Sequence, residues 1–145
     1  MKFKLPAVAA MVLALTLAAP AFSQSRLKDA SANRELSDQI MALVVKGDIE
    51  GGLRLAKPYL VIPESEVDTL IGQTKMQLPA LEMRFGKPVG VEYIGQDKVG
   101  EHVMRIVQIC RYEKHLMRWN FYFYRTPTGW VLNAFHFDDK LQALF

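Results

Sequence analysis

Aromatic side chains are concentrated near the carboxyl end of the chain. Eight of its fifteen Phe, Trp and Tyr residues fall between Trp119 and Phe137, in two runs separated by Thr-Pro-Thr-Gly at 126–129. Aromatic and β-branched runs on either side of Pro/Gly turn residues predict an antiparallel hairpin. Because so many aromatic side chains lie in it, this hairpin is expected to organise the core.

The short loop sets the expected pairing of this hairpin. A three-residue connection, 127–129, favours a type I turn followed by a glycine in the left-handed region. The resulting register pairs Tyr124 with Leu132 and Arg118 with Asp138, and a slip of one residue would exchange the two faces. The face expected to lie under helices carries Trp119, Phe121, Phe123, Val131, Asn133, Phe135 and Phe137. The opposite face carries Arg118, Asn120, Tyr122, Tyr124, Trp130, Leu132, Ala134, His136 and Asp138.

The beginning of the chain has the pattern of a secretory signal peptide. Lys2 and Lys4 precede an apolar run from 5 to 20, and small residues surround a cleavage point near Ser23. The alternative, an uncleaved membrane anchor, is less favoured because the run is short and ends at Pro20. We therefore expect a periplasmic or secreted protein that has no membrane association after cleavage.

Cleavage would leave one domain of nearly balanced charge. The signal peptide is assigned to residues 1–23, a polar lead to 24–30 and a single α+β domain to 31–145. Of 18 basic and 15 acidic residues, only two lysines are removed, which leaves 16 against 15 and a net charge of +1. Because Lys and Arg are spread among acids, no nucleic-acid partner is expected.

Apolar spacing predicts helices in the first half of the domain and strands in the second. Apolar residues between Leu36 and Val44 repeat at helical spacing. A later helix should begin near Pro63 and be broken or kinked at Pro79. From Pro88 onward the period becomes that of strands. This order indicates an α+β fold in which N-terminal helices pack on a curved antiparallel sheet of about four strands, cone-like and ending in the aromatic hairpin.

Two segments carry a family resemblance. The chain has GDIEGGL at 47–53, followed by RWNFYFYRTPTGWVLNAFHFDD at 118–139, which contains the pattern GW-x-L-x-x-F. In element order and strand pattern, most of 31–140 resembles the nuclear-transport-factor-two-like superfamily, also called the cystatin-related cone fold. The resemblance implies a sheet that wraps around helices and leaves a pocket, often with dimerisation through the sheet. It implies no activity, because this fold hosts binding proteins and enzymes alike.

One polar cluster on the hairpin is a candidate for catalysis. His136 is expected opposite Asn120, with Arg118 and Asp138 on the same face. A histidine can exchange protons near neutral pH, so His136 or Asp138 could transfer protons on a hydrophobic substrate. The alternative is an ordinary cross-strand polar cluster. The three histidines lack metal-ligand spacing, and we expect neither a metal nor a cofactor.

Two further residue sets bear on binding. Buried amides need partners, so Gln108 and Asn133 either face a pocket or are satisfied within the core. Candidate ligand-binding residues are Gln108, Trp119, Phe121, Asn133 and Phe135. An aromatic patch on the uncovered face predicts a homodimer interface. Its candidate residues are Tyr122, Tyr124, Trp130 and Leu132.

These features favour one function and leave a second open. The favoured one is an exported protein that binds a small apolar ligand or a protein partner without catalysis. The alternative is an enzyme of isomerase, dehydratase or cyclase type that transfers protons.

Overall fold

Three helices precede four antiparallel strands in the computed structural model, which describes residues 24–145. The predicted signal peptide, 1–23, lies outside the described residues. The helices are α1 (Ala30–Val44), α2 (Ile49–Ala56) and α3 (Glu64–Phe85), with a 3₁₀ turn at Lys57–Tyr59. The strands are β1 (Pro88–Val99), β2 (Val103–Tyr112), β3 (Leu116–Thr126) and β4 (Gly129–Asp138), followed by a 3₁₀ turn at Leu141–Leu144.

The strands form one curved sheet in the order β1-β2-β3-β4, and each is antiparallel to its neighbour. With the helices packed against this sheet, the predicted α+β class is confirmed. In the described part of the chain, no helix is both long and apolar enough to cross a bilayer.

Local sequence signals explain where the helices begin. The Asp29 carboxylate accepts a hydrogen bond from the backbone N–H of Ala32 at 2.8 Å and caps α1. Asp48 caps α2 in the same way through the N–H of Gly51 at 2.8 Å. Pro79 does not break α3, which runs through it without interruption. Pro79 is exposed, so the backbone carbonyl that it leaves without a donor can be hydrated.

The predicted polar lead takes part in the fold. The Leu27 N–H donates to the Trp130 carbonyl at 2.9 Å, and the Trp130 N–H donates back to Leu27 at 2.8 Å. The Leu27 side chain belongs to the core. The segment before α1 therefore pairs with the edge of β4 at Trp130, and a buried leucine within a polar segment is the sequence signal for this contact.

The closing hairpin has the predicted register in one half and a different register in the other. All pairs that involve residues 118–122 are as predicted, including the pair of Arg118 with Asp138. Beyond them, Leu132 pairs with Phe123 and not with Tyr124. The cause is a β-bulge that leaves Asn133 without a partner on β3.

A shorter loop accompanies this bulge. Thr126 pairs with Gly129, so the connection has two residues and not three. Gly129 has φ +135°, and a Cβ there would lie 2.9 Å from the carbonyl oxygen of Leu27. The glycine is therefore required both by its backbone conformation and by the N-terminal segment that crosses it.

The bulge reverses the faces of several residues at the loop end of β4. Trp130 and Leu132 were predicted on the outer face but are buried in the core. Asn133 was predicted on the inner face but is exposed. The inner face predicted for β3 is correct, and its residues Trp119, Phe121 and Phe123 are buried under the helices.

Candidate functional site

The predicted ligand-binding residues are mostly packed in the interior. Trp119 and Phe121 have 0% and 1% of their surface exposed. Trp119 stacks on Phe137 with ring centroids 4.5 Å apart, and half-buried Phe135 stacks beside them. Asn133 is exposed on the bulge. The aromatic interior under the helices is thus filled by its own side chains.

The Gln108 amide is satisfied by α1. Its Nε2 donates to the Ser37 hydroxyl at 3.0 Å and to the Asp38 carboxylate at 2.8 Å. The side chain is buried, so these bonds replace water that the amide lost on folding. Of the two roles left open for Gln108, the geometry therefore shows satisfaction within the core.

The candidate catalytic cluster lies on the outer face of the sheet. The Arg118 guanidinium donates two hydrogen bonds to Asp138, at 2.7 and 3.2 Å, and a third to the Ala143 carbonyl at 2.9 Å. His136 Nε2 lies 2.7 Å from the same carboxylate, and the Lys140 N–H donates to it. These partners, Arg118 foremost, hold the pKa of Asp138 well below its usual range.

The contacts of Arg118 tie β3 to β4 and to the terminal 3₁₀ turn, and they keep Asp138 ionised. A carboxylate with a strongly lowered pKa is a poor proton acceptor near neutral pH. The His136 side chain is 56% exposed. Within residues 24–145, no group of three or more Cys, His, Asp or Glu side chains is placed to bind a metal.

Only part of the predicted interface patch is at the surface. Tyr124 is 45% exposed and Tyr122 is half-buried. Trp130 and Leu132 are in the core because of the bulge, so the patch as predicted is wrong for these two residues. Val103 pairs with Tyr124 and is also exposed, which leaves a smaller apolar surface near the loop end of the sheet.

A groove beside α3 is the candidate binding site. It has a volume of about 400 Å³, within the range of small-molecule sites. One wall is the carboxyl-terminal half of α3, the second is the turn between α1 and α2, and the floor includes Tyr112 at the end of β2. The lining residues used below are Lys46, Ile49, Leu78, Leu81, Lys87 and Tyr112.

The groove has an apolar interior. Leu78 and Leu81 are only half-buried, although they point from α3 toward the rest of the domain. Ile49 is buried at the start of α2. The apolar surface left open on the two leucines is surface that a ligand could cover.

Tyr112 forms the floor of the groove and has an unusual hydroxyl. The side chain is 7% exposed and packs edge-to-face on Phe85, with ring centroids 5.8 Å apart. Its Oη has no hydrogen-bond partner among the described residues. The neighbouring group is the thiol of Cys110, which is a weak partner. Burial raises the pKa of both, that of Cys110 to about 11.

Two cations stand at the rim of the groove. Lys46 follows α1, and Lys87 follows the glycine that ends α3; both are exposed. Neither ammonium forms an ion pair with another described residue. Glu82 on α3 also lines the groove, so the rim carries two positive charges and one negative charge.

Sequence reasoning missed this groove entirely. Leu78 and Leu81 are aliphatic residues of a long helix, and the lysines lie in turns far apart in the chain. The one available signal was Pro79, which lies between the two leucines and weakens the helix where the groove opens.

Comparison with solved structures gives a likeness in fold. The crystal structure of a "putative NTF2-like transpeptidase" from Campylobacter jejuni is similar over 70% of this chain and 97% of that chain, with 14% identity and a TM-score of 0.48. No family model matches the chain, and no curated protein matches it. At this identity and TM-score, the likeness concerns the fold alone and carries no conclusion about function.

Proposed function

We propose that this protein binds a small amphipathic molecule in the groove beside α3 and does not catalyse a reaction. The observation that carries the proposal is the half-open apolar space between Leu78, Leu81 and Tyr112, with Lys46 and Lys87 at its rim. The filled aromatic interior offers no comparable space for a ligand. The groove therefore replaces the predicted interior pocket as the place for binding.

The chemistry of the lining indicates the class of ligand. An apolar body would cover the two leucines and the Tyr112 ring and remove their open surface from water, at roughly 25 cal/mol per Å². An anionic end would meet the lysines at the rim, whose ammonium groups have no ion-pair partner among residues 24–145. A carboxylate or sulfonate on a short apolar body fits both requirements.

Dye binding tests the site. We expect anilinonaphthalene sulfonate, an anionic aromatic dye, to bind the folded protein with increased fluorescence. Leu81→Glu should weaken binding by at least about tenfold, because it places a charge on the apolar wall. Met83→Glu is the matched control on the same helix, since Met83 is 80% exposed and does not line the groove. Equal affinity of the two variants would contradict the proposal.

A second comparison tests the role of the lysines. Replacing both Lys46 and Lys87 by Gln should weaken the anionic dye severalfold and leave neutral N-phenylnaphthylamine unchanged. Lys98→Gln serves as the control, because Lys98 lies near the opposite end of β1 from the groove residue Pro88. If the lysine variants bind both dyes as the unmodified protein does, the ligand is apolar without an anionic end.

Localisation belongs to the same proposal. The charged start, apolar run and small residues of 1–23 support export to the periplasm or beyond. Amino-terminal sequencing of protein from a cell fractionation tests it. The expected result is an exported chain that begins near Gln24, and a full-length chain in the cytoplasm would contradict export.

A further inference from the structure

Helix α3 has two apolar stripes on opposite sides. The inner stripe, which faces the domain, consists of Val67, Ile71, Thr74, Leu78, Leu81 and Phe85. The outer stripe consists of Gly72, Met76, Pro79 and Met83, and all four are exposed. Each outer residue is two positions from an inner one, which places it about 200° around the helix from that residue. The two methionines are 82% and 80% exposed.

The outer stripe has the residue spacing of a contact surface between two packed helices. Intervals of four, three and four residues separate its members, as in the a and d positions of a heptad repeat. Isolated exposed methionines need no explanation, but a regular stripe over three turns of one helix does. Methionine is flexible and polarizable, which suits a surface that is exposed in one state and covered in another.

The geometry points to a second copy of this chain, docked antiparallel along the outer stripe of α3. In this pairing Met76 faces the partner's Pro79, and Gly72 faces the partner's Met83. Each long side chain thus lies opposite a short one, which allows close approach of the helices. The twofold symmetry repeats both contacts, as an isologous interface requires.

Charges beside the stripe are complementary in the same arrangement. Lys75 precedes Met76 and Glu82 precedes Met83, so Lys75 of one copy lies near the partner's Glu82. Symmetry gives this ion pair twice. Lys75 also contacts Glu50 of its own chain at 3.4 Å, but its side chain is 69% exposed and available. The residues on the other flank, Gln73 and Ala80, are uncharged, so no like charges meet there.

This interface differs from the predicted one on the sheet. The predicted patch loses Trp130 and Leu132 to the core, whereas every member of the α3 stripe is at the surface. A single pair of helices buries a small area, so the dimer should be weak and dependent on concentration.

Sedimentation velocity of the purified protein from about 5 to 500 µM tests the inference. We expect a monomer–dimer equilibrium that Met76→Glu combined with Met83→Glu weakens by at least about tenfold. Both positions are exposed, so the variant should retain its fold, which circular dichroism checks. Tyr124→Glu, in the remaining sheet patch, should leave the equilibrium unchanged.

A charge exchange tests the antiparallel arrangement. Lys75→Glu and Glu82→Lys should each weaken the dimer, and the double variant should restore it. A monomer at all concentrations, a dimer lost only in Tyr124→Glu, or no rescue in the double variant would overturn the inference. Binding of the monomer to phosphatidylglycerol vesicles, lost in the methionine variant, would overturn it in favour of a lipid surface.

Discussion

The two spaces between helices and sheet are filled in opposite ways. Under α1, Trp119 and Phe121 are almost completely buried, and Gln108 is hydrogen-bonded across to the helix. Beside the second half of α3, Leu78 and Leu81 remain half-exposed around an open groove. Aromatic density in this chain therefore marks the side that is packed. The side with room for a ligand has ordinary aliphatic walls and lies at the end of the sheet.

The largest change in stability should come from removing an aromatic ring from the packed interior. Phe121→Ala removes a ring that is 1% exposed, and we expect a loss of about 3–5 kcal/mol in the free energy of unfolding. Chemical denaturation measures it. Tyr124→Ala, on the same strand but 45% exposed, should lose far less. Similar losses for the two variants would mean that the aromatic interior is not tightly packed.

A smaller effect should follow from cutting the polar contact between α1 and β2. Gln108→Leu keeps the volume but removes both hydrogen bonds to the helix, and we expect a loss of about 1–2 kcal/mol. Gln39→Leu on the exposed side of α1 is the matched control, because Gln39 bonds only to Glu35 at the surface. A gain of stability in Gln108→Leu would show that the contact specifies geometry without stabilising the fold.

The groove wall should be less sensitive. Leu81→Ala removes a half-buried side chain, so we expect a loss of about 1 kcal/mol, well below that of Phe121→Ala. Met83→Ala should change the free energy of unfolding by less than about 0.5 kcal/mol. A loss above 3 kcal/mol for Leu81→Ala would place the groove wall in the core. It would contradict the contrast between a packed interior and an open groove.

The smallest effect at neutral pH concerns the thiol behind the groove floor. Burial raises the pKa of Cys110 to about 11, so the thiol stays neutral and inaccessible in the folded state. Its contribution to stability is complete below the ordinary value near 9.0 and declines as the pH rises toward 11. We expect alkylation at pH 8 to occur only at the rate of unfolding. Rapid alkylation of the folded protein would show that the groove reaches Cys110.

The strand order and half of the hairpin were predictable because alternation is a strong local signal. Trp119, Phe121 and Phe123 alternate without interruption, and their inner face was predicted correctly. On β4 the inward residues are Trp130, Leu132, Phe135 and Phe137, and the interval of three after Leu132 is the mark of a bulge. The assumption of a three-residue loop hid this interval, because loop and bulge compete for the same extra residue.

The groove was not predictable because it depends on how far one helix stands from the sheet. The residues that line it come from the turn after α1, from α2 and α3, and from β1 and β2, and no periodicity within one segment reports that distance. The residues of the His136 cluster were predicted correctly as neighbours, since they pair across the hairpin as expected. Its role depended on exposure and on Arg118, which a linear pattern does not reveal.

The bridge between Leu27 and Trp130 has a consequence for how the protein is made. It joins two residues that are 103 positions apart, and it pairs the segment before α1 with the start of the last strand. During synthesis the segment around Leu27 has no pairing partner until Trp130 has left the ribosome. Final closure is therefore a late event in biogenesis, and it depends on residues at opposite limits of the domain.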